Sequence, residues 1–357
     1  MTGEPRVPVI VLGGTGYVAG ECLRLLLGHP SLVVEAVVST TRDGGAVTTA
    51  FPHLAGTAAD GWSFVTLDSA LESLRFGRTV GVLAATPHGA TAAILDRLLT
   101  AAEAAGADAR VVDLSADFRY PDASAYEAVY LQPHGAPARL SQFTCAVPEH
   151  LAGTPARHAA QPGCFTTAVT LAAYPFLAAG LVEDDVFAAA VTGSSGSGRT
   201  PSATTHHPER HGDMKAYSPL AHRHEPEMRR LLAAACGGRE PDVQFVPHSG
   251  PFVRGIHATV RMTLKAPRTS EALAAAAAAF YADSPFVRVG TTPPRLTEVV
   301  GTNRARIGVA ARGRTLVVTS VIDNLVKGAA GGGIQWLNRL LGWPDDRGLS
   351  VPGPGWF

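Results

Sequence analysis

The amino-acid sequence predicts an α/β protein of two domains: a parallel sheet with helices on both faces, then a second α/β domain with a mixed sheet. Three observations point there. The chain has 357 residues, too many for one ordinary core and enough for two domains of roughly 150 residues each. Its first half alternates strand and helix signals over short connections, the signature of a parallel sheet. Beyond Cys164 that alternation gives way to a different pattern.

An apolar run at Val7–Leu12 predicts the first strand, and Tyr17–Leu27 carries apolar residues at helical spacing. β-branched runs at Leu32–Val38 and Thr79–Ala85 predict strands, Ala90–Ala105 a helix, and Ala109–Leu114 a further strand. From about Tyr120 to Pro148, proline, tyrosine and small residues predict a long surface connection into the second domain. There Phe165 to Gly180 has helical spacing and Val186–Val191 reads as a strand. Gly193 to Arg223, rich in Gly, Ser, His and Pro, predicts a long stretch with little regular structure, uncommon inside a compact domain unless functional or mobile. Strands follow near Val243–Val246, Ile256–Leu264 and Thr315–Ile322, with helices at Glu225–Ala235, Ser270–Ala282 and Asn324–Leu341. The alanine run Ala272–Ala279 is a strong helix former.

Composition narrows the function classes. With 46% hydrophobic and 17% charged residues the chain is globular rather than disordered. A formal net charge of zero gives no overall attraction to nucleic acid or an anionic membrane. Cys22, Cys145, Cys164 and Cys236 are scattered without metal-ligand spacing, which favours a reduced, cytoplasmic protein. No signal-peptide pattern opens the sequence, and no apolar segment of roughly 18 uninterrupted residues predicts a membrane span.

Val9-Ile10-Val11-Leu12 runs into Gly13-Gly14-Thr15-Gly16-Tyr17-Val18-Ala19, a strand leading through a glycine turn into a helix. Gly13, Gly16 and Ala19 give GxxGxxA spacing, which lets backbone approach a pyrophosphate at a helix N-terminus. The spacing and its place at the first strand predict a Rossmann-type dinucleotide site rather than a glycine-rich connection that binds nothing. An acidic residue ending the second strand would bind the ribose of NAD, but here stand Ser39, Thr40, Thr41 and Arg42. Hydroxyls and a guanidinium suit a 2′-phosphate, so NADP is expected, with Ser39 and Arg42 as contacts.

Pro162-Gly163 places Cys164 at the start of a predicted helix, where unpaired N–H groups and the helix dipole favour thiolate. A lone cysteine is more often a small buried hydrophobe. Other segments complete a pattern: Thr192-Gly193-Ser194-Ser195-Gly196-Ser197-Gly198-Arg199, dense in N–H donors; His222-Arg223-His224 before a helix; and Ile322-Asp323-Asn324-Leu325-Val326-Lys327-Gly328. With Pro87-His88-Gly89, Asp113-Leu114-Ser115-Ala116-Asp117-Phe118-Arg119 and Pro162-Gly163-Cys164-Phe165-Thr166-Thr167, nearly the whole chain resembles the N-acetyl-γ-glutamyl-phosphate reductase family.

The resemblance implies NADPH-dependent reduction of an acyl phosphate to an aldehyde through a thioester on Cys164, with His222 and His224 as acid/base candidates; which one moves the proton stays open. It further implies cofactor contacts at Ser195, Gly196 and Asn324 besides Gly13 to Ala19, and substrate contacts at Ser115, Arg119 and Arg199. No metal is expected, since no Asp, Glu or Cys completes a recognisable ligand spacing with His206, His207, His211, His222 and His224. Thr205-His206-His207-Pro208-Glu209-Arg210, with Cys145 to Glu149 and Gly301-Thr302-Asn303, resembles the branch acting on acyl phosphates held by a small acidic amino-group carrier protein of LysW type. A free N-acetylated substrate is the alternative, and a non-catalytic NADP sensor a lesser one. The expected domains are 1–160 with 328–357 for NADP, and 161–327 for catalysis and oligomerisation, with the active site at their junction and a homo-oligomer, in this family often a tetramer, as the assembly.

Overall fold

The computed structural model describes residues 6–151 and 153–355, which form two compact units. Residues 6–145, 153–161 and 330–350 make the first. Its strands are β1 (Val7–Leu12), β2 (Leu32–Val38), β3 (Phe64–Val65), β4 (Thr79–Ala84), β5 (Asp108–Asp113), β6 (Phe143–Cys145) and β7 (His158–Ala160). They form one parallel sheet in the order β3-β2-β1-β4-β5-β7-β6. Alternate residues serve opposite faces. Ile10, Leu12, Val82 and Ala84 share a core with Leu95, Leu98 and Leu99 of the helix Thr91–Ala105. Gly81 on the other face lies so close to Leu337 of the C-terminal helix Gly331–Leu340 that an added Cβ would stand 3.0 Å from it.

The expected surface connection from Tyr120 to Pro148 is instead partly folded into this unit. Asp122 caps a helix, Ala123–Tyr130, by accepting from the Ala125 N–H at 2.8 Å. Tyr120, Tyr126, His134 and Leu140 are buried, and β6 closes the sheet edge. The tyrosines mislead because their rings pack: Tyr126 stacks on Tyr130 and donates its hydroxyl to Asp117 at 3.3 Å.

The second unit holds residues 146–151, 162–329 and 351–355. Its strands are β8 (Val182–Thr192), β9 (Lys215–Ala216), β10 (Asp242–Ser249), β11 (Ile256–Leu264), β12 (Val287–Gly290), β13 (Ala305–Arg312) and β14 (Thr315–Ile322). The sheet is mixed, in the order β12-β13-β14-β11-β8-β10-β9, with β8/β10 and β12/β13 parallel. Along β11, Ile256, Ala258, Val260, Met262 and Leu264 are fully buried and the intervening residues are not. The dry face packs under the helices Cys164–Ala178, Glu225–Ala233 and Ser270–Phe280. On the other, Phe187 is exposed and His257 and Thr259 only half covered. β12 and β13 carry too few β-branched residues to read as strands on their own. No described helix is long and apolar enough to cross a membrane.

Helix Cys164–Ala178 is buried from Phe165 through Leu177, so it forms the centre of this unit. Pro175 within it lacks the N–H that would bond the Leu171 carbonyl. The Tyr281 hydroxyl donates to that carbonyl at 2.8 Å, and its oxygen lies 2.9 Å from His150 Nε2, which therefore carries the proton of a neutral ring. Burial pushes His150 down to about 3, consistent with that neutral form.

Candidate active site

The glycine turn fits a dinucleotide phosphate. Gly13 has φ +82°, and a Cβ there would stand 2.5 Å from the Ala85 carbonyl oxygen, so only glycine lets the turn close. At Gly16 a Cβ would make only an ordinary contact, 3.9 Å from the Gly13 carbonyl oxygen. Gly16 also begins the helix Tyr17–Leu27, whose N-terminus has no side-chain cap and no acid in its first turn, leaving donors for an anion. Thr15, Tyr17 and Val18 reach the surface beside it, while Ala19 is buried. Ser39 follows β2, buried, its hydroxyl accepting from the Thr41 N–H at 3.3 Å; Arg42 is exposed.

Ser115 and Arg119 are buried in the same unit. The Ser115 hydroxyl accepts from the Asp117 N–H at 3.1 Å, and Arg119 Nε donates to the Gln161 carbonyl at 3.0 Å. The neighbouring carboxylates brace the turn: Asp113 accepts from the Ser115 and Phe118 N–H groups, Asp117 from those of Gly89 and Ala92 at the start of a helix. Burial outweighs those bonds at Asp113 and raises its carboxyl to about 6.

In the second unit a cavity of about 610 Å³ is lined by Cys164, His222, His224, Tyr217, Lys215 and Arg223, among others. Cys164 is half-buried at the first position of its helix, after Gly163, with no side-chain cap and no acid in the first turn. The Gly163 N–H donates at 2.8 Å to Glu227, a fully buried carboxylate. Two glycines press against His224 and Cys164. A Cβ on Gly163 would lie 2.5 Å from His224 Nε2, so that imidazole rests on the backbone next to the thiol. A Cβ on Gly328 would lie 2.6 Å from Cys164 Cβ.

Gly328 reaches that position through a correction to the sequence reading. Asn324–Leu341 is not one α-helix: Val326–Ala330 is a π turn and the α-helix starts at Gly331. The Gly328 N–H donates to Asp323 O at 3.0 Å, five residues back, and that wider turn carries the backbone up to Cys164. Asp323, fully buried, fixes the turn by accepting from Leu325, Val326 and Gly301 N–H groups while paired with Arg254 at 3.0 Å. Lys327 and Glu149 form a buried ion pair at 2.6 Å. Gly328→Ala is expected to lower kcat/KM by about 10²-fold, the typical cost of displacing a reacting group by about an ångström, while thermal unfolding shows the fold retained.

The two histidines differ. His222 Nδ1 accepts from the His224 N–H at 3.1 Å, so the proton of its neutral ring sits on Nε2. Burial, then the Arg223 charge, pushes His222 down to about 4 and keeps it neutral at neutral pH. Its ring meets that of His224 edge to face, centroids 4.7 Å apart, and packs against Phe165, Tyr217 and Phe245. Gly196 also lines the cavity. Ser195 is buried, accepting from Asn324 Nδ2 at 3.0 Å, and Asn324 Oδ1 accepts from the Gly255 N–H at 2.7 Å. Arg199 is exposed and lies outside the lining. Glu227, Tyr217 and Lys215 escaped the sequence reading. A carboxylate in the first turn of the helix after His222-Arg223-His224 was the available signal for Glu227; nothing local marked the other two.

Comparison with known proteins adds two family models: "Semialdehyde dehydrogenase, NAD binding domain" matches residues 8–143 and "Semialdehyde dehydrogenase, dimerisation domain" residues 164–324. The chain is 41% identical over 351 residues to an N-acetyl-gamma-glutamyl-phosphate reductase of Ectopseudomonas mendocina, covering 96% of this chain and 98% of that one. It is 39% identical over 358 residues to the Symbiobacterium thermophilum protein of that name, covering 98% and 99%. Among solved structures, aspartate semialdehyde dehydrogenase II of Vibrio cholerae superposes with a TM-score of 0.67 at 14% identity, covering 95% of this chain and 99% of that one. The likeness to these structures lies in the fold.

Proposed function

The chain belongs to the N-acetyl-γ-glutamyl-phosphate reductase family, and from that premise we propose that it reduces the ω-acyl phosphate of an N-blocked amino diacid to its semialdehyde, releasing phosphate. The observation that carries this is Cys164 at an uncapped helix start, sharing one cavity with His222 and His224. The first unit serves NADP, held on Gly13 to Ala19 with Ser39 and Arg42 at the 2′-phosphate; Ser195, Gly196 and Asn324 are assigned as further contacts. NADPH supplies the hydride when bound. An Arg42→Ala protein is expected to lose about 10-fold or more of its NADPH-over-NADH preference in kcat/KM, the weight of a charge-assisted contact; an unchanged ratio removes the assignment.

Cys164 Sγ attacks the acyl carbon, the carbon–oxygen bond to phosphate breaks, and the thiol proton passes to His224, whose ring lies over Gly163. His222 points its Nε2–H at the thiohemiacetal oxyanion and holds its charge. When the carbon–sulfur bond breaks, the aldehyde leaves and the proton on His224 returns to the thiolate, while solvent supplies the proton that makes the departed phosphate hydrogen phosphate. Glu227 fixes the Gly163 peptide, and with it the direction of the thiol. Arg119, Ser115 and Arg199 are assigned to phosphate or substrate carboxylate. The second unit also serves self-association, its half-covered sheet face around Phe187 being the surface a second copy would cover.

The names of the relatives support a free N-acetyl-γ-glutamyl substrate. Carrier-borne glutamyl or aminoadipyl phosphate is the second reading, favoured by Lys215 and Arg223 on a cavity wall without carboxylates. Supplying free and carrier-linked acyl phosphates and following NADPH loss separates them. Comparable kcat/KM supports the free substrate; a preference of about 10²-fold or more, the size of several charged contacts, establishes the carrier.

A further inference from the structure

We propose that Lys215, backed by the buried Arg210, forms a carboxylate subsite in the catalytic cavity and holds the α-carboxylate of the N-blocked substrate, an inference resting on the reductase reading above. Lys215 lies on the two-residue strand β9, paired with Ser249 of β10, and both line the cavity. Its side chain is exposed and makes no ion pair among the described residues. Arg210 approaches Ser249 from behind, donating from Nη1 to its carbonyl at 3.1 Å. Arg210 as a residue is 9% exposed, and its buried Nε and Nη2 have no hydrogen-bond partner among the described residues. Lys215 thus lines a cavity wall to which no described Asp or Glu contributes, and Arg210 bonds the backbone of its strand partner Ser249. Buried positive charge without an acidic partner is costly, and an anionic ligand supplies what the protein does not.

The spacing identifies which anion. Tyr217 lines the cavity with Cys164 and packs on the His222 ring, centroids 5.6 Å apart. Lys215 precedes Tyr217 by two residues, a displacement of roughly 7 Å along extended chain, and both line the cavity. With the acyl carbon on Cys164, a glutamyl chain extends four carbon–carbon bonds to its α-carboxylate carbon, roughly 5 Å. The flexible ammonium closes the remaining distance and accommodates one more methylene. The departing phosphate, by contrast, is bonded to the acyl carbon and leaves beside the sulfur.

The test compares N-acetyl-γ-glutamyl phosphate with 4-acetamidobutanoyl phosphate, identical but for the α-carboxylate, on wild type, Lys215→Met and Lys215→Arg. Wild type is expected to favour the carboxylated substrate by about 100-fold in kcat/KM, the scale of a charge-assisted contact. In Lys215→Met that advantage falls to within about 3-fold, carried by KM, and Lys215→Arg restores part of it. An unchanged advantage in Lys215→Met overturns the proposal, as does an equal loss on both substrates, which places Lys215 on the phosphate or in loop structure. Failure of wild type to acylate Cys164 with either compound instead sinks the reductase reading itself, and is seen directly by intact mass.

Discussion

Cys164→Ala is expected to lose NADPH-dependent turnover by about 10⁵-fold, the scale on which removal of a catalytic nucleophile is felt. Direct reduction of the acyl phosphate offers no comparable route, because the thioester splits one difficult displacement into two easier steps. The substitution suits its position: alanine is the best helix former, and the side chain is half-buried at a helix start rather than in the core. A loss of activity therefore reports chemistry and not unfolding, as near-native thermal unfolding would show. The decisive measurement is the mass of the protein mixed with acyl phosphate in the absence of NADPH. Wild type gains one acyl group at Cys164 and the variant gains none. Stoichiometric acylation of the variant, or turnover within about 10-fold of wild type, removes Cys164 from the mechanism.

His224→Ala is expected to cost about 10³-fold in kcat/KM, within the span of general acid–base contributions, with the loss in the acylation step that precedes hydride transfer. His222→Gln, which keeps a donor near the oxyanion, should lose less. His222 also leaves a signature in the pH dependence of stability. Folded His222 takes up its proton at about 4 while an unfolded chain does so near 6.5. The unfolded state thus binds more protons in that window, and the stability His222 contributes is complete above pH 6.5 and lost as the pH falls through 4. Asp113 works in the opposite sense, its raised carboxyl binding a proton at about 6 in the folded state and so gaining stability as the pH falls toward 3.8. His222→Gln should flatten the acid limb of a denaturation profile between pH 6.5 and 4. If it instead steepens that limb, the neutral, buried state of His222 is wrong.

The sequence made the long, strongly patterned elements legible. The first two strands and the first helix, β11 and β14 lie where their apolar periodicity put them. It misjudged Tyr120 to Pro148, where ring packing and hydroxyl hydrogen bonds bury residues that composition assigns to a surface, and the Val326–Ala330 turn, where a π turn interrupts helical spacing without any proline to announce it. The thiol, the two histidines and the glycine turn could be read because each belongs to a dense local motif. Tyr217 and Lys215 could not: they come to the cavity through a strand of two residues held by β10, a tertiary pairing with no local signature. Glu227 marks the boundary, since its place in the sequence was visible while its bond to Gly163 required the fold.

The contact of Gly163 with His224 and of Gly328 with Cys164 divides the cavity by its tolerance of change. The floor is backbone against the Cys164 and His224 side chains, and at neither glycine is there room for one more carbon. The wall that carries Lys215 is a short edge segment with exposed side chains on a separate part of the chain. Descendants of this sequence can therefore exchange residues on the wall, trading one acyl group or mode of delivery for another, while the floor stays fixed. In such a lineage substrate range drifts and the reaction does not.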